Sequence, residues 1–189
     1  LYNYLKKNRK ILFNKTNTIP NIYYVSAKSL GKKRSFKISK NLWLKDCLLA
    51  PKIKEVDIII ELIGGAEGTA KKLVFEALRN KKHVVTANKA LVAKYGDQLS
   101  KIAENNKVNF EFEAAVCGGI PIIRSMKEGL IANNMNKIYG ILNGTSNYVL
   151  SSMEKEKLEF GDSLLKAQKL GYAESNPTSD ISGEDVASK

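Results

Sequence analysis

Along the chain, short β-branched runs alternate with stretches whose apolar residues recur at helical spacing. Val56-Asp-Ile-Ile-Ile-Glu-Leu-Ile63 is nearly continuous and ends in Gly64-Gly65, which predicts a strand buried on both faces of a parallel sheet. From Thr69 to Asn80, Ala70, Leu73, Val74, Ala77 and Leu78 fall on one helical face, and His83-Val-Val-Thr86 reads as the next strand. Asn88 can cap a helix that runs to about Asn105, with Leu91, Val92, Tyr95, Leu99 and Ile102 inward. Val108 to Val116 then reads as a further strand. Strands and helices alternating across short loops make right-handed βαβ units.

Upstream, Asn21 to Ala27 is a candidate strand, and Leu1 to about Leu12 resembles the tail of a helix. A doubly wound nucleotide-binding domain opens with a strand and a Gly-rich turn. Neither precedes this helix and no methionine starts the chain. The sequence therefore reads as a fragment, expected to be inactive alone without the turn that cradles phosphate. After Gly118-Gly119-Ile-Pro121 the pattern changes. It predicts a helix from Pro121 to about Asn133, a strand over Lys137–Leu142, a helix led in by Asn143-Gly-Thr-Ser-Asn147, and another from about Phe160 to Leu170 that stops at Gly171. The expected division is residues 1–117 and 118–189: a doubly wound parallel sheet, then the start of an α+β domain.

Composition fits a globular protein: 189 residues, 43% of them hydrophobic, suffice for a substantial core. No apolar run approaches the roughly 18 residues of a membrane span, and the polar first residues do not form a secretory signal. Cys47 and Cys117 are isolated and His83 is the single histidine, so neither a disulfide framework nor a zinc cluster is expected, and a cytoplasmic location fits. The 31 Lys+Arg against 19 Asp+Glu give +12, but the lysines are scattered and not interleaved with aromatics. A solvated basic surface accounts for them better than nucleic-acid binding does.

Five blocks occur in order: Glu61-Leu-Ile-Gly-Gly65, His83-Val-Val-Thr-Ala-Asn-Lys-Ala-Leu91, Phe112-Glu-Ala-Ala-Val-Cys-Gly-Gly-Ile-Pro-Ile-Ile123, Gly140-Ile-Leu-Asn-Gly-Thr-Ser-Asn-Tyr148 and Gly171-Tyr-Ala-Glu-Ser-Asn-Pro-Thr-Ser-Asp180. Together they closely resemble homoserine dehydrogenase, from about Val56 onward and more loosely from Asn21. The resemblance implies a Rossmann-like domain followed by the start of a catalytic and dimerisation domain. It also implies NAD(P)-dependent interconversion of L-homoserine and L-aspartate 4-semialdehyde, on the route to threonine, methionine and isoleucine, in a homodimer.

By the same resemblance Lys189 is the catalytic proton donor and acceptor, Glu174 and Asp185 are substrate ligands with Asp180 in the same acidic segment, and Gly171 touches the cofactor. Asp185 and Lys189 are four residues apart, so on a helix begun near Ser182 they share a face. An acidic lining suits the α-ammonium of homoserine, and a lysine suits transfer of its hydroxyl proton. From the residues alone the same pair also reads as a surface ion pair worth about 0.3–0.5 kcal/mol. Asn88 and Lys89 lie just past a strand's carboxyl end, where open α/β sheets bind ligands, and resemble a cofactor-side element. Ile63 and Gly64 line the same crevice by that logic, though Asn88 can be only a helix cap and the glycine only a turn. Glu113 with the backbone carbonyls of Val116, Gly118 and Ile120 resembles the family's monovalent-cation loop, whose oxygens suit sodium or potassium. Cys117 then reads as a buried small thiol and His83 as structural.

No acid ends the second strand of the expected dinucleotide domain, while Lys28, Lys32, Lys33 and Arg34 can meet a 2′-phosphate. This favours NADP over NAD, with ordinary loop lysines as the alternative. Two competing functions are a different Rossmann-type amino-acid dehydrogenase, in which the block from Gly171 to Lys189 would be absent, and a basic nucleic-acid-binding module.

Overall fold

The computed structural model describes residues 1–189 except Leu30, Lys33, Ser35, Ser175, Ser188 and Lys189, with Ser179 and Asp185 described by their backbone alone. Two compact units result. The first comprises Leu1–Glu61, Glu67–Val85 and Asp97–Phe110, and the second Leu62–Ala66, Thr86–Gly96 and Glu111–Lys189.

In the first unit, strands β1 (Ile58–Glu61), β2 (His83–Thr86) and β3 (Phe110–Glu111) form a parallel sheet in chain order, its last residues passing into the second unit. His83 N donates to Asp57 O at 2.9 Å, and Val84 N donates to Asn109 O at 2.9 Å. His83 also fixes the pairing through its side chain, Nδ1 accepting from Asn109 N at 3.0 Å. Two short helices, α1 (Tyr2–Lys7) and α2 (Arg9–Thr16), stand where the sequence predicts one, with a break at Asn8. The crossover helix α3 (Thr69–Arg79) buries Ala70, Leu73, Val74, Ala77 and Leu78, the five residues its spacing predicts. It packs on β1 and on a 3₁₀ turn, Cys47–Lys52, in which the Leu48 amide is capped by Asp46 Oδ1. Burial first, and the Asp46 carboxylate second, push the Cys47 thiol above its ordinary range.

β1 departs from the expectation of burial on both faces. Ile59 and Glu61 are buried, whereas Ile58 and Ile60 are 54% and 42% exposed. The β-branched run satisfies strand propensity on either face, but α3 covers one side alone. The predicted strand over Asn21–Ala27 is reduced to a single parallel bridge between Val25 and Trp43. That over Val108–Val116 shortens to β3, because Glu113–Ala115 coils into a 3₁₀ turn.

Helix α4 (Lys89–Asn106) follows β2 with the predicted inner residues Leu91 and Leu99 fully buried, joined by Ala103. In the second unit, the helix predicted from Pro121 to Asn133 is α5 (Ile122–Arg124) continued by a π-helical turn over Ser125–Gly129. Lys137–Leu142 forms no strand. A strand requires a neighbour to satisfy its backbone, and Ile138, Tyr139 and Ile141 are instead exposed. Helices α6 (Gly144–Glu156) and α7 (Phe160–Lys169) pair around Val149, Ala167 and Ala173. Then come α8 (Thr178–Ile181) and α9 (Glu184–Ala187), separated at Gly183 with φ +80°. Among the described residues, no helix is long and apolar enough to cross a membrane.

Because α3 fills one face of the sheet and the other is open, Leu78→Ala is expected to cost about 2–5 kcal/mol of stability. Ile60→Ala should cost less than about 1 kcal/mol. Urea unfolding of both variants checks this, and equal losses would contradict the one-sided packing.

Candidate functional site

The loop after β1 and the start of α4 are tied together by one side chain. Asn88 is 3% exposed. Its Oδ1 accepts from Leu91 N at 3.1 Å and so caps α4, while its Nδ2 donates to Gly65 O at 2.8 Å, and its backbone N donates to Thr86 Oγ1 at 3.0 Å. An asparagine is the residue that does this: its amide oxygen replaces a missing helical acceptor, and its amide nitrogen remains free to reach across. Gly64 and Gly65 have φ of +87° and +81°, and a β-carbon at either would meet no atom within 4 Å. Ile63 is half exposed beside them and Lys89 is partly buried. The residues expected at the two strand ends, Ile63, Gly64, Asn88 and Lys89, are therefore neighbours in a loop with open space next to a left-handed glycine pair. Such a loop can approach a dinucleotide closely.

Farther along the second unit, Asn143 repeats the device at α6. Its Oδ1 accepts from Ser146 N at 2.7 Å, and its Nδ2 donates to Asp180 Oδ1 at 2.8 Å. Thr145 Oγ1 donates to Tyr172 O at 2.5 Å, and the Tyr172 ring stacks on Tyr148 with centroids 4.6 Å apart. Gly171 has φ +79° and ends α7 as a Schellman cap, with Tyr172 N donating to Ala167 O and Gly171 N to Gln168 O. That geometry by itself favours a glycine. Glu174 is exposed, and its backbone oxygen accepts from Gln168 Nε2 at 3.1 Å. Asp180 thus joins the α6 terminus, and Glu174 lies on the adjoining loop. Lys189 and the Asp185 side chain lie outside the described residues. The single helix expected from Ser182 is confined to Glu184–Ala187, with Ser182 Oγ accepting from Glu184 N.

Glu113 turns its carboxylate to α5: Oε1 accepts from Ile123 N at 3.0 Å and Oε2 from Arg124 N at 2.8 Å. Its carbonyl accepts from Val116 N, and that of Ile120 from Ile122 N. Cys117 and Gly119 both have positive φ, 47° and 86°, so the segment carrying the Val116 and Gly118 carbonyls turns sharply. Cys117 is half-buried, not buried as expected, because the turn lifts it out of the core. No cluster of three or more His, Cys, Asp or Glu that could hold a metal ion occurs among the described residues. In the basic loop, Arg34 donates to Lys32 O at 2.9 Å and Ser29 O at 2.6 Å and lies over the Trp43 ring. Lys33 lies outside the described residues. Thr145 and Asn143 carry no role in the sequence reading, although Asn-Gly-Thr-Ser-Asn before an apolar helix is itself a capping signal.

Two family models match the chain: "homoserine dehydrogenase, NAD binding domain" over residues 26–113, and "homoserine dehydrogenase" over residues 121–189. The curated homoserine dehydrogenase of Neisseria gonorrhoeae is 52% identical over 136 residues, 72% of this chain and 31% of the relative. That of Bacillus subtilis is 47% identical over 165 residues, 87% of this chain and 38% of the relative. This chain therefore spans 31–38% of the length of these two proteins. A solved homoserine dehydrogenase from Thiobacillus denitrificans matches with TM-score 0.86 and 42% identity over 100% of this chain and 43% of its own. A hyperthermophilic archaeal homoserine dehydrogenase in complex with NADPH matches with TM-score 0.69 and 26% identity over 97% of this chain and 52% of its own. Matched in both of its parts by domains of one enzyme, this chain belongs to the homoserine dehydrogenase family.

Proposed function

We propose that this chain forms part of an NAD(P)-dependent homoserine dehydrogenase, a cytoplasmic homodimer interconverting L-homoserine and L-aspartate 4-semialdehyde. The observation that carries the reading is the Asn88–Gly65 tie, which joins a glycine loop to a helix start at successive strand ends in a chain of this family. The division into residues 1–117 and 118–189 is supported by the family models, which stop at 113 and resume at 121.

The open space at Gly64 and Gly65 and the left-handed backbone there fit a nicotinamide dinucleotide. When bound, the nicotinamide accepts or supplies the hydride. The chain's own residues do the rest. Ile63, Gly64, Asn88 and Lys89 line the cofactor side, with Gly171 near it. Glu174, Asp180 and Asp185 hold the α-ammonium, and Lys189 takes the hydroxyl proton as homoserine is oxidised and returns it in the reverse direction. NADP is favoured by the basic loop, in which Arg34 draws Ser29 and Lys32 into one turn.

Sodium or potassium at Glu113, Val116, Gly118 and Ile120 fits backbone oxygens, because the Glu113 carboxylate is engaged by α5. A second copy of the chain is supported as a partner by Ile131, Ile138, Tyr139 and Ile141, which are 79%, 65%, 88% and 74% exposed. Free Cys47 and Cys117 accord with the cytoplasm.

In an enzyme-length chain containing this sequence, NADP reduction by homoserine tests the reading directly. Lys189→Ala should lower kcat at least about a hundredfold with nucleotide affinity nearly unchanged. Asp185→Asn should raise the homoserine KM as well as lower the rate. Normal turnover in both variants would leave only a surface ion pair.

Asn88→Ser keeps an acceptor for the α4 terminus but cannot reach Gly65. It should raise the NADP KM by about tenfold, the scale of one well-placed polar contact, with little change in melting temperature. An unchanged KM for NADP would remove the Gly65 tie from the cofactor site.

A further inference from the structure

Asn143 and Asp180 are 37 positions apart, yet they meet at the N-terminus of α6. Asn143 is 8% exposed, so its amide groups need partners within the protein. The helix terminus demands an acceptor, and Oδ1 supplies it to Ser146 N. That fixes the amide's orientation and turns the Nδ2 donor toward Asp180 Oδ1. Ser146 Oγ adds a second link by donating to the Asp180 backbone oxygen at 3.3 Å. A donor held by a helix cap and aimed at a carboxylate makes a charge-assisted bond with little freedom of its own. The other carboxylate oxygen, Asp180 Oδ2, has no hydrogen-bond partner among the described residues.

We propose that Asn143 is a positioning residue for the substrate: it holds one oxygen of Asp180 so that the other faces the α-ammonium of homoserine. The inference rests on the homoserine site proposed above and adds to it a residue outside the acidic segment. An alkylammonium donates up to three hydrogen bonds. It gains from a carboxylate whose rotation is already spent before binding.

The test uses an enzyme-length chain containing this sequence. Asn143→Ser retains an acceptor for Ser146 N but has no donor that reaches Asp180. Asn143→Asp retains the cap and sets a carboxylate against a carboxylate. The homoserine KM should rise about tenfold in the serine variant, the scale of one charge-assisted bond, and further in the aspartate variant, while the NADP KM stays constant. The exchange Asn143→Asp with Asp180→Asn rebuilds the hydrogen bond with its polarity reversed. It should regain the melting temperature that Asn143→Asp loses without recovering the homoserine KM.

Wild-type homoserine affinity in both single variants, or its recovery in the exchanged pair, would overturn the inference while leaving the enzyme assignment intact. A wild-type protein that binds NADP and does not oxidise homoserine would overturn the assignment, and this inference with it.

Discussion

A buried asparagine that answers two demands at once is the interaction on which the site loops depend. A helix N-terminus leaves several amides without acceptors, and an asparagine oxygen can take one of them. Once that oxygen is committed, the amide nitrogen can point in only one direction, and it becomes a donor of fixed aim. Asn88 spends its donor on Gly65 O and Asn143 on Asp180 Oδ1. Serine, threonine or aspartate would cap either helix as well, but none of them offers a donor at that reach. The choice of asparagine among good capping residues therefore reports a tertiary contact.

Rigid elements thereby transfer their order to loops that have little core of their own. α3 and β1 are held by apolar packing, and α6 and α7 by the cluster around Val149 and Ala167. The segments at 62–66 and 171–183 have little such burial among the described residues: Ala173 alone enters that cluster, and Leu62, Ile63, Tyr172 and Ile181 are exposed. Hydrogen bonds to capped helix ends are what they have instead. Glu113 follows the same logic with a carboxylate, taking Ile123 N and Arg124 N and thereby joining its 3₁₀ turn to α5. A negative charge at those amides is favourable because the helix end carries partial positive charge.

Periodicity made the helices legible, while pairing and side-chain direction stayed hidden. The inner face of α3 follows from the positions of Ala70, Leu73, Val74, Ala77 and Leu78, because burying an amphipathic helix is a local decision repeated each turn. Strands failed where the decision was not local. Lys137–Leu142 and Asn21–Ala27 have suitable residues, but a strand exists only beside another one, and propensity does not identify the neighbour. The capping role of Asn88 was visible from its position before an apolar helix, whereas its bond to Gly65 crosses 23 residues and leaves no trace in spacing. Gly171 was legible as a helix stop, and its left-handed φ explains the glycine without reference to any ligand. Asn143 and Thr145 were quoted within a block yet assigned nothing, since their partners Asp180 and Tyr172 lie in another one.

The charge distribution follows from the same local reasoning. A chain with net charge +12 should repel an ammonium group and attract a phosphate if only the total mattered. Screening limits that total: at physiological salt a charge is felt over about 8 Å. Within such a radius the carboxylates of Glu174 and Asp180, and not the total, set what the proposed amino-acid substrate would meet. The Asn143 donor sharpens this further, since a neutral amide orients a carboxylate without neutralising it. A lysine in its place would hold Asp180 more strongly and cancel the charge that the proposed substrate is attracted to. An uncharged donor on a helix cap is thus the arrangement that combines a fixed carboxylate with an undiminished negative field.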